Sequence, residues 1–385
     1  MKRILIRNFG PIKDAELQLG QVNIITGLQS SGKSCILKVA CYCSYVEKRI
    51  ELSQRTQEFS SGTSFIDLMT GYYDIANYIQ NETYIEYEGV YMKFSYDHSV
   101  KKIAMEWKSS RWEYKRSKVT YIPADRNLVA SIPGWSSMPL DKNMVEFMAN
   151  WDKARKFLKE ENNLLNLGIS YIYDSSSNSD SIVLENGKPL KLKEGSSGIQ
   201  SLLPMYVHLD YITSGQYKDN NVKISYEQAE ERKNLLSTIY ASLCRKDKTD
   251  EKLITFQVGG YDYSFSDVDE ANRFMIIYDS YLHTHHSDIY LEEPENNLFP
   301  PTQCQFIRWL VEAIKKHNDT LFIATHSPYI LNELIKQTSD GLRVFFTHRT
   351  DNETPSYTVR QLSNEEVEEM YGNGVDIFFN FELYL

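Results

Sequence analysis

A chain of 385 residues with 42% apolar and 13% aromatic side chains can bury a sizeable core, in two or three domains or in one large domain with insertions. Its formal net charge of −10 is the reverse of the basic footprint expected of a nucleic-acid-binding chain, so only local basic patches remain for that role. Five cysteines without a CxxC pair argue against a disulfide framework and fit a cytoplasmic protein, and neither a leader-like opening nor an 18-residue apolar run points to a membrane.

The chain begins with alternating apolar residues that predict three strands, RILIRNF, DAELQLG and VNIITG. An apolar helix is expected from about Lys33 to Glu47, with Cys41 and Cys43 as packing residues rather than metal ligands. Residues 51–80 are mixed and read as helical. Between 83 and 122 antiparallel strands are expected in TYIEYEG, VYMKFSYD, KIAMEWK, RWEYKR and VTYIP. Residues 141–166 read as one amphipathic helix, with Met144, Phe147, Met148, Trp151, Phe157 and Leu158 at helical spacing. DSSSNSDS and an Asn186–Gly187 turn frame a hairpin. IQSLLPMYVHLDYI and 226–246 predict two further helices. Strands follow at Ile289–Leu291, in DTLFIATHS, in LRVFFTH and in SYTVRQL. There is no internal repeat and no sustained heptad pattern, so long coiled-coil arms are not expected.

The most specific signal is GLQSSGKS, Gly27 to Ser34, a full match to GxxxxGK[ST] between a predicted strand and a predicted helix. Gly27 and Gly32 allow backbone angles and a close approach that a Cβ would block. Amides at the helix start and the helix dipole attract phosphate, and Lys33 supplies a cation for the β and γ oxygens. The nucleotide-binding set is therefore Gly27, Gln29, Ser30, Ser31, Gly32, Lys33, Ser34 and Cys35, with the Ser34 hydroxyl as a Mg²⁺ ligand. IYLEEPE places Glu292 and Glu293 directly after buried apolar residues, where two carboxylates need a cation to compensate them. Glu292 is assigned to the Mg²⁺ shell, directly or through water. Glu293 is assigned to the attacking water, and His326, at the end of FIATHS, to sensing the γ-phosphate.

The phosphate loop, SSGIQ, LEEPENNLFP and ATHSP occur in that order, and together they resemble an ABC-type ATPase of the SMC/RecF/OLD lineage. The match is strongest to its compact prokaryotic branch, found in anti-phage systems such as PARIS and Septu, and fused to nucleases in the OLD and Gabija proteins. The resemblance covers roughly 1–45, 190–210 and 282–335. It implies ATP and Mg²⁺ as cofactors and an α/β fold, a P-loop ATPase head with an antiparallel β subdomain and a helical signature lobe. It further implies that Ser196, Ser197, Gly198 and Gln200 form a signature loop that caps the γ-phosphate held by a second subunit, head to tail. Four departures stand out: Gln29 where asparagine is frequent, Ile199 for a polar residue, Phe299 where this branch often has histidine, and no glutamine after VTYIP, where Asp125 is the substitute for the Mg²⁺ shell.

The expected organisation is an ATPase core begun by 1–50, an inserted helical and antiparallel subdomain over 51–140, a helical signature lobe over 141–281, and the rest of the core over 282–385. The 59 residues after His326 contain no Asp-x-Asp pair, so a fused nuclease is not expected. The resemblance thus implies a homo-oligomer, a head-to-tail dimer at least, that controls a separate effector and answers a DNA or phage-encoded trigger. The alternative is a RecF-like DNA-binding ATPase. HTHH at 283–286 reads as a metal site or a solvated turn. RWEYKRSK at 111–118 reads as a nucleic-acid surface or a solvated strand face, and KARKFLK at 153–159 as a face toward DNA or a partner.

Overall fold

The computed structural model describes residues 2–131, 138–158, 161–218, 226–244, 253–338, 341–350 and 356–373. In chain order the strands are β1 (Lys2–Phe9), β2 (Ile12–Leu19), β3 (Val22–Gly27), β4 (Ile79–Glu88), β5 (Met92–Asp97), β6 (Lys102–Trp107), β7 (Ser117–Ile122), β8 (Asn162–Asn163), β9 (Ile169–Asp174), β10 (Ser179–Leu184), β11 (Pro189–Lys191), β12 (Ile254–Val258), β13 (Tyr261–Phe265), β14 (His286–Glu292), β15 (Thr320–Ala324), β16 (Leu342–Arg349) and β17 (Tyr357–Gln361). The helices are α1 (Lys33–Ser53), α2 (Gln57–Ser60), α3 (Ser64–Tyr73), α4 (Leu128–Ser131), α5 (Lys142–Phe157), α6 (Ser197–Thr213), α7 (Tyr226–Leu243), α8 (Val268–Leu282), α9 (Pro300–Lys315), α10 (Pro328–Gln337) and α11 (Asn364–Asn373).

One 11-stranded sheet carries the fold, in the order β6-β5-β4-β1-β2-β17-β16-β3-β15-β14-β7. From β16 to β7 every neighbouring pair is parallel. These strands are covered on both faces, so β3, β14 and β15 read as nearly unbroken buried runs. From β2 to β6 the pairs are antiparallel, and β2 and β5 alternate buried with less buried residues. On one face, α1 and α3 bury Ile36, Val39, Val46, Phe65 and Met69 against the sheet. On the other, α5, α6, α9 and α10 form the larger core around Trp151, Leu203, Phe306 and Leu331, joined by the small sheet β11-β10-β9-β8. A third cluster unites α7, α8 and the β12–β13 hairpin around Phe265 and Phe274.

Three expectations are corrected. VTYIP does not extend the antiparallel run: it is β7, paired in parallel with β14 at the far edge of the sheet. RWEYKR is not a strand. Its Arg111–Glu113 portion is a 3-10 turn, fixed by the Arg111 guanidinium over the Trp107 and Trp112 rings (3.7 and 4.6 Å). The helix expected over 141–166 stops at Phe157, and Asn162–Asn163 pairs with β9 instead. Glutamates and asparagines follow Phe157 in sequence, and they oppose the dipole or compete with the helical backbone. Within KARKFLK, whose Lys159 lies outside the described residues, Arg155 is spent internally: it bonds Asp152 and Asp180 (2.6 Å each) and lies over the Trp151 and Tyr173 rings. Cys41 and Cys43 are buried on α1, and no described helix is long and apolar enough to cross a membrane.

Candidate nucleotide-binding site

Register brings the functional segments together. Ile25 of β3 faces Ala324 of β15, and Ala324 faces Glu292 of β14. The loop after Gly27, the Thr325–His326 turn and Glu292–Glu293 therefore leave adjacent parallel strands at one end of the sheet, the end where such sheets bind ligands.

The loop at 27–32 is built on positive backbone angles. Gly27 has φ 143° and Gly32 φ 88°. A Cβ on Gly27 would lie 2.1 Å from Thr347 Oγ1, and one on Gly32 2.4 Å from Ile12 Cδ1. Ser31 is fully buried; its hydroxyl donates to the Leu28 carbonyl (2.6 Å) and pairs with Thr347 of β16. Lys33 begins α1, and its ammonium donates to the carbonyls of Gly27 (3.1 Å) and Leu28 (2.6 Å). Burial pushes this lysine down to about 8, opposed by the Glu293 and Glu295 carboxylates. Gln29 and Ser30 are exposed, Ser34 is half-buried, and the Cys35 side chain is buried, its thiol pushed up to about 12 by desolvation.

At the end of β14, Glu292 is buried and accepts a hydrogen bond from the Tyr121 hydroxyl. Glu293 sits in the left-handed region (φ 41°), a strained conformation for a residue with a Cβ. Asn296 Nδ2 donates to Glu293 Oε2 (3.0 Å), and His326 Nε2 lies 3.9 Å from Glu293 Oε1. Burial and the Lys33 charge hold His326 below the usual imidazole range. Glu295 fixes the histidine turn by accepting from the His326 amide (2.6 Å) and the Thr325 hydroxyl (2.7 Å).

Arg126 is the residue that sequence reasoning missed. It is fully buried and has carbonyls as hydrogen-bond acceptors: Pro123 (3.2 Å), Glu292 (2.9 Å), Glu293 (2.9 Å) and Ser201 of α6 (3.3 Å). Burial pushes its guanidinium down to about 10. It thereby ties both acidic residues to the helix that follows the second serine–glycine loop. Its neighbour Asp125 is exposed. The only available signal was the polar ADRN directly after an apolar strand.

In the second loop, Ser196 caps α6 by accepting from the Ile199 amide (3.4 Å). Ser196 and Ser197 are exposed, and Ile199 packs against the lobe core, which accounts for an apolar residue there. The Gln200 amide donates to the carbonyls of Lys193 (3.0 Å) and Gly195 (2.9 Å), closing its own loop. A Cβ on Gly198 would lie 3.0 Å from the Asn297 carbonyl oxygen, so this loop rests on the segment that follows Glu293.

Ser34 and Glu292 offer hard oxygen donors, and no cluster of three or more His, Cys, Asp or Glu side chains among the described residues could hold a metal alone. So sparse a donor set fits Mg²⁺, which prefers one or two protein ligands shared with phosphate oxygens. HTHH falls outside any such cluster; its last histidine opens β14.

No protein-family model matches the chain, and no curated protein does. Among solved structures it is similar to an SMC head domain from Thermotoga maritima, with TM-score 0.43 and 10% identity over 94% of this chain and 98% of that one. It is also similar to an SMC head bound to the C-terminal winged-helix domain of ScpA (TM-score 0.40, 10% identity, 95% and 98% covered) and to the recombination mediator RecF bound to an ATP analogue (TM-score 0.33, 14% identity, 94% and 97% covered).

Proposed function

We propose that the chain binds ATP at Gly27–Ser34 and hydrolyses it as an ABC-type head that closes head to tail on a second copy. The observation that carries this is the convergence of a glycine-built phosphate loop with Glu293 and His326, 3.9 Å apart, on neighbouring parallel strand ends. Lys33, resting on carbonyls, has an ammonium ready to exchange them for phosphate oxygens. Glu293, oriented by Asn296, takes the proton of the attacking water. His326, depressed and thus largely neutral, is poised to hydrogen-bond the γ-phosphate. Ser34 and Glu292 are the residues that would hold Mg²⁺, which would supply charge neutralisation at the phosphates. Ser196, Ser197 and Gly198 contribute their helix N-terminus to the nucleotide of the partner; Gln200 acts by shaping that loop. Leu28 and Phe299, exposed on loops at this end, and Tyr329, exposed in the first turn of α10, give the closing surfaces apolar contact.

The motif resemblance supports a finer role: sensor and scaffold of a bacterial anti-phage system, in which ATP-dependent assembly governs a separate nuclease or toxin. A RecF-like DNA-binding role is the second reading, and it requires DNA affinity that falls steeply with salt. Glu293→Gln tests the core proposal. Hydrolysis should fall at least about 100-fold, the worth of a general base, while ATP stays bound and the closed dimer accumulates on size exclusion. Normal turnover would remove Glu293 from its assigned role.

A further inference from the structure

At the end of the sheet opposite the phosphate loop, a cavity of about 460 Å³ opens between α1, α7 and the start of β7. Its walls carry five cations against Glu58, Glu146 and Glu231. One cation, Arg49, is committed to Glu58 and Glu231 (3.1 and 2.5 Å). The others, Lys48, Arg116, Lys118 and Arg232, have no carboxylate within ion-pairing distance among the described residues. Lys118 reaches the neutral amide oxygen of Asn150 (3.1 Å). Arg116 gives Nη1 to the Leu282 carbonyl (3.0 Å), while its Nε is buried without a partner. Burial and the nearby Lys118 and Arg116 charges push Lys48 down to about 7. Half-buried like charges held together in this way disfavour one another until an anion joins them. Arg116 and Lys118 are also the two charges of RWEYKRSK that face this cavity and that the nucleotide site leaves unused.

A second hollow, of about 180 Å³, shares Tyr45, Glu58, Val119 and Glu146 with the first. Tyr42, Tyr72 and Tyr73 line its far side. Flat rings beside carboxylates suit a planar base that carries amino donors. The paired cavities lie within the size range of small-ligand sites. Lys48 is on the same helix as Lys33, 15 residues on, or about 22 Å along its axis.

We propose that these joined cavities form a second site, distinct from the phosphate loop, for a free mononucleotide, with phosphates among Lys48, Arg116, Lys118 and Arg232 and the base against the tyrosine wall. This second site is independent of ATP hydrolysis at the first. The test is equilibrium dialysis of radiolabelled ADP against the full chain at about 0.15 M salt. Wild type should bind two ADP per chain and Lys33→Ala one. Adding Lys48→Met to Lys33→Ala should weaken the remaining site about tenfold or more, the worth of one charge-assisted hydrogen bond. Arg232→Gln, on α7, repeats the measurement should Lys48→Met fail to fold. Complete loss of ADP in Lys33→Ala, or residual binding that neither substitution weakens, overturns the proposal. So does a short single-stranded oligonucleotide that binds Lys33→Ala where ADP does not, which would assign the cations to nucleic acid.

Discussion

QSSGKS and GSSGIQS, the two serine–glycine loops, look interchangeable as strings, but each uses its glycine differently. In the first, Gly27 and Gly32 adopt angles that side chains resist, and the loop is locked to β16 through Ser31 and Thr347. In the second, Gly198 lies in an ordinary helical turn and is small because Asn297 passes close by. The first loop needs glycine for conformation, the second for clearance. The first also carries its own cation, whereas the second offers only helix amides and hydroxyls. In the proposed head-to-tail dimer the two loops would complement each other, one supplying the cation and the other only amides and hydroxyls.

Substitution with alanine breaks this contrast most sharply. Gly27→Ala forces a Cβ to 2.1 Å from Thr347 Oγ1 at an unfavourable φ, so strain and overpacking add. Urea unfolding should show a loss of about 3 kcal/mol, with nucleotide binding abolished. Gly198→Ala needs the Asn297 carbonyl to yield only slightly, so its cost should stay below about 1 kcal/mol, with ATP binding by a single chain retained. Equal losses in the two variants would mean that the second loop is as conformationally constrained as the first.

Arg126 joins the two halves of the contrast, because one guanidinium holds the carbonyls of Glu292 and Glu293 and that of Ser201 behind the second loop. Arg126→Met keeps most of the buried volume but leaves those carbonyls without their donor. A stability loss of about 3 kcal/mol is expected. The sharper readout is kinetic. Hydrolysis should fall with ATP affinity nearly unchanged, because the phosphate loop itself does not touch Arg126. Arg126→Lys should not rescue it, since a single ammonium cannot span carbonyls that a planar fork reaches.

The phosphate loop and the acidic strand were legible because each pairs a short motif with a buried apolar run, and both signals are local. Arg126 was not, since all its partners but the nearby Pro123 carbonyl lie 75 and more residues away and become neighbours only through the sheet. The same limit hid the place of β7. VTYIP reads as a strand, but whether it extends the meander or crosses to β14 depends on pairing that periodicity does not encode. Within EEPENN the string was visible, but the division of labour was not. Asn296 orients Glu293 while Glu295 fixes the histidine turn, an arrangement set by the tight loop after a left-handed Glu293.

The smallest effect separates the two roles open to Ser196. Its hydroxyl caps α6 at the Ile199 amide, and loss of a cap costs about 1 kcal/mol. Aspartate is as good a cap as serine, so Ser196→Asp should unfold within about 0.5 kcal/mol of wild type, whereas Ser196→Ala should not. A carboxylate at that exposed position, however, would meet the phosphates of the partner's nucleotide, and like charges there should prevent closure. Ser196→Asp is thus expected to fold normally, bind ATP as a single chain and fail to dimerise, with hydrolysis lost in proportion. If it dimerises and turns over as wild type does, Ser196 is a cap and nothing more, and the second loop faces solvent rather than a neighbour's nucleotide.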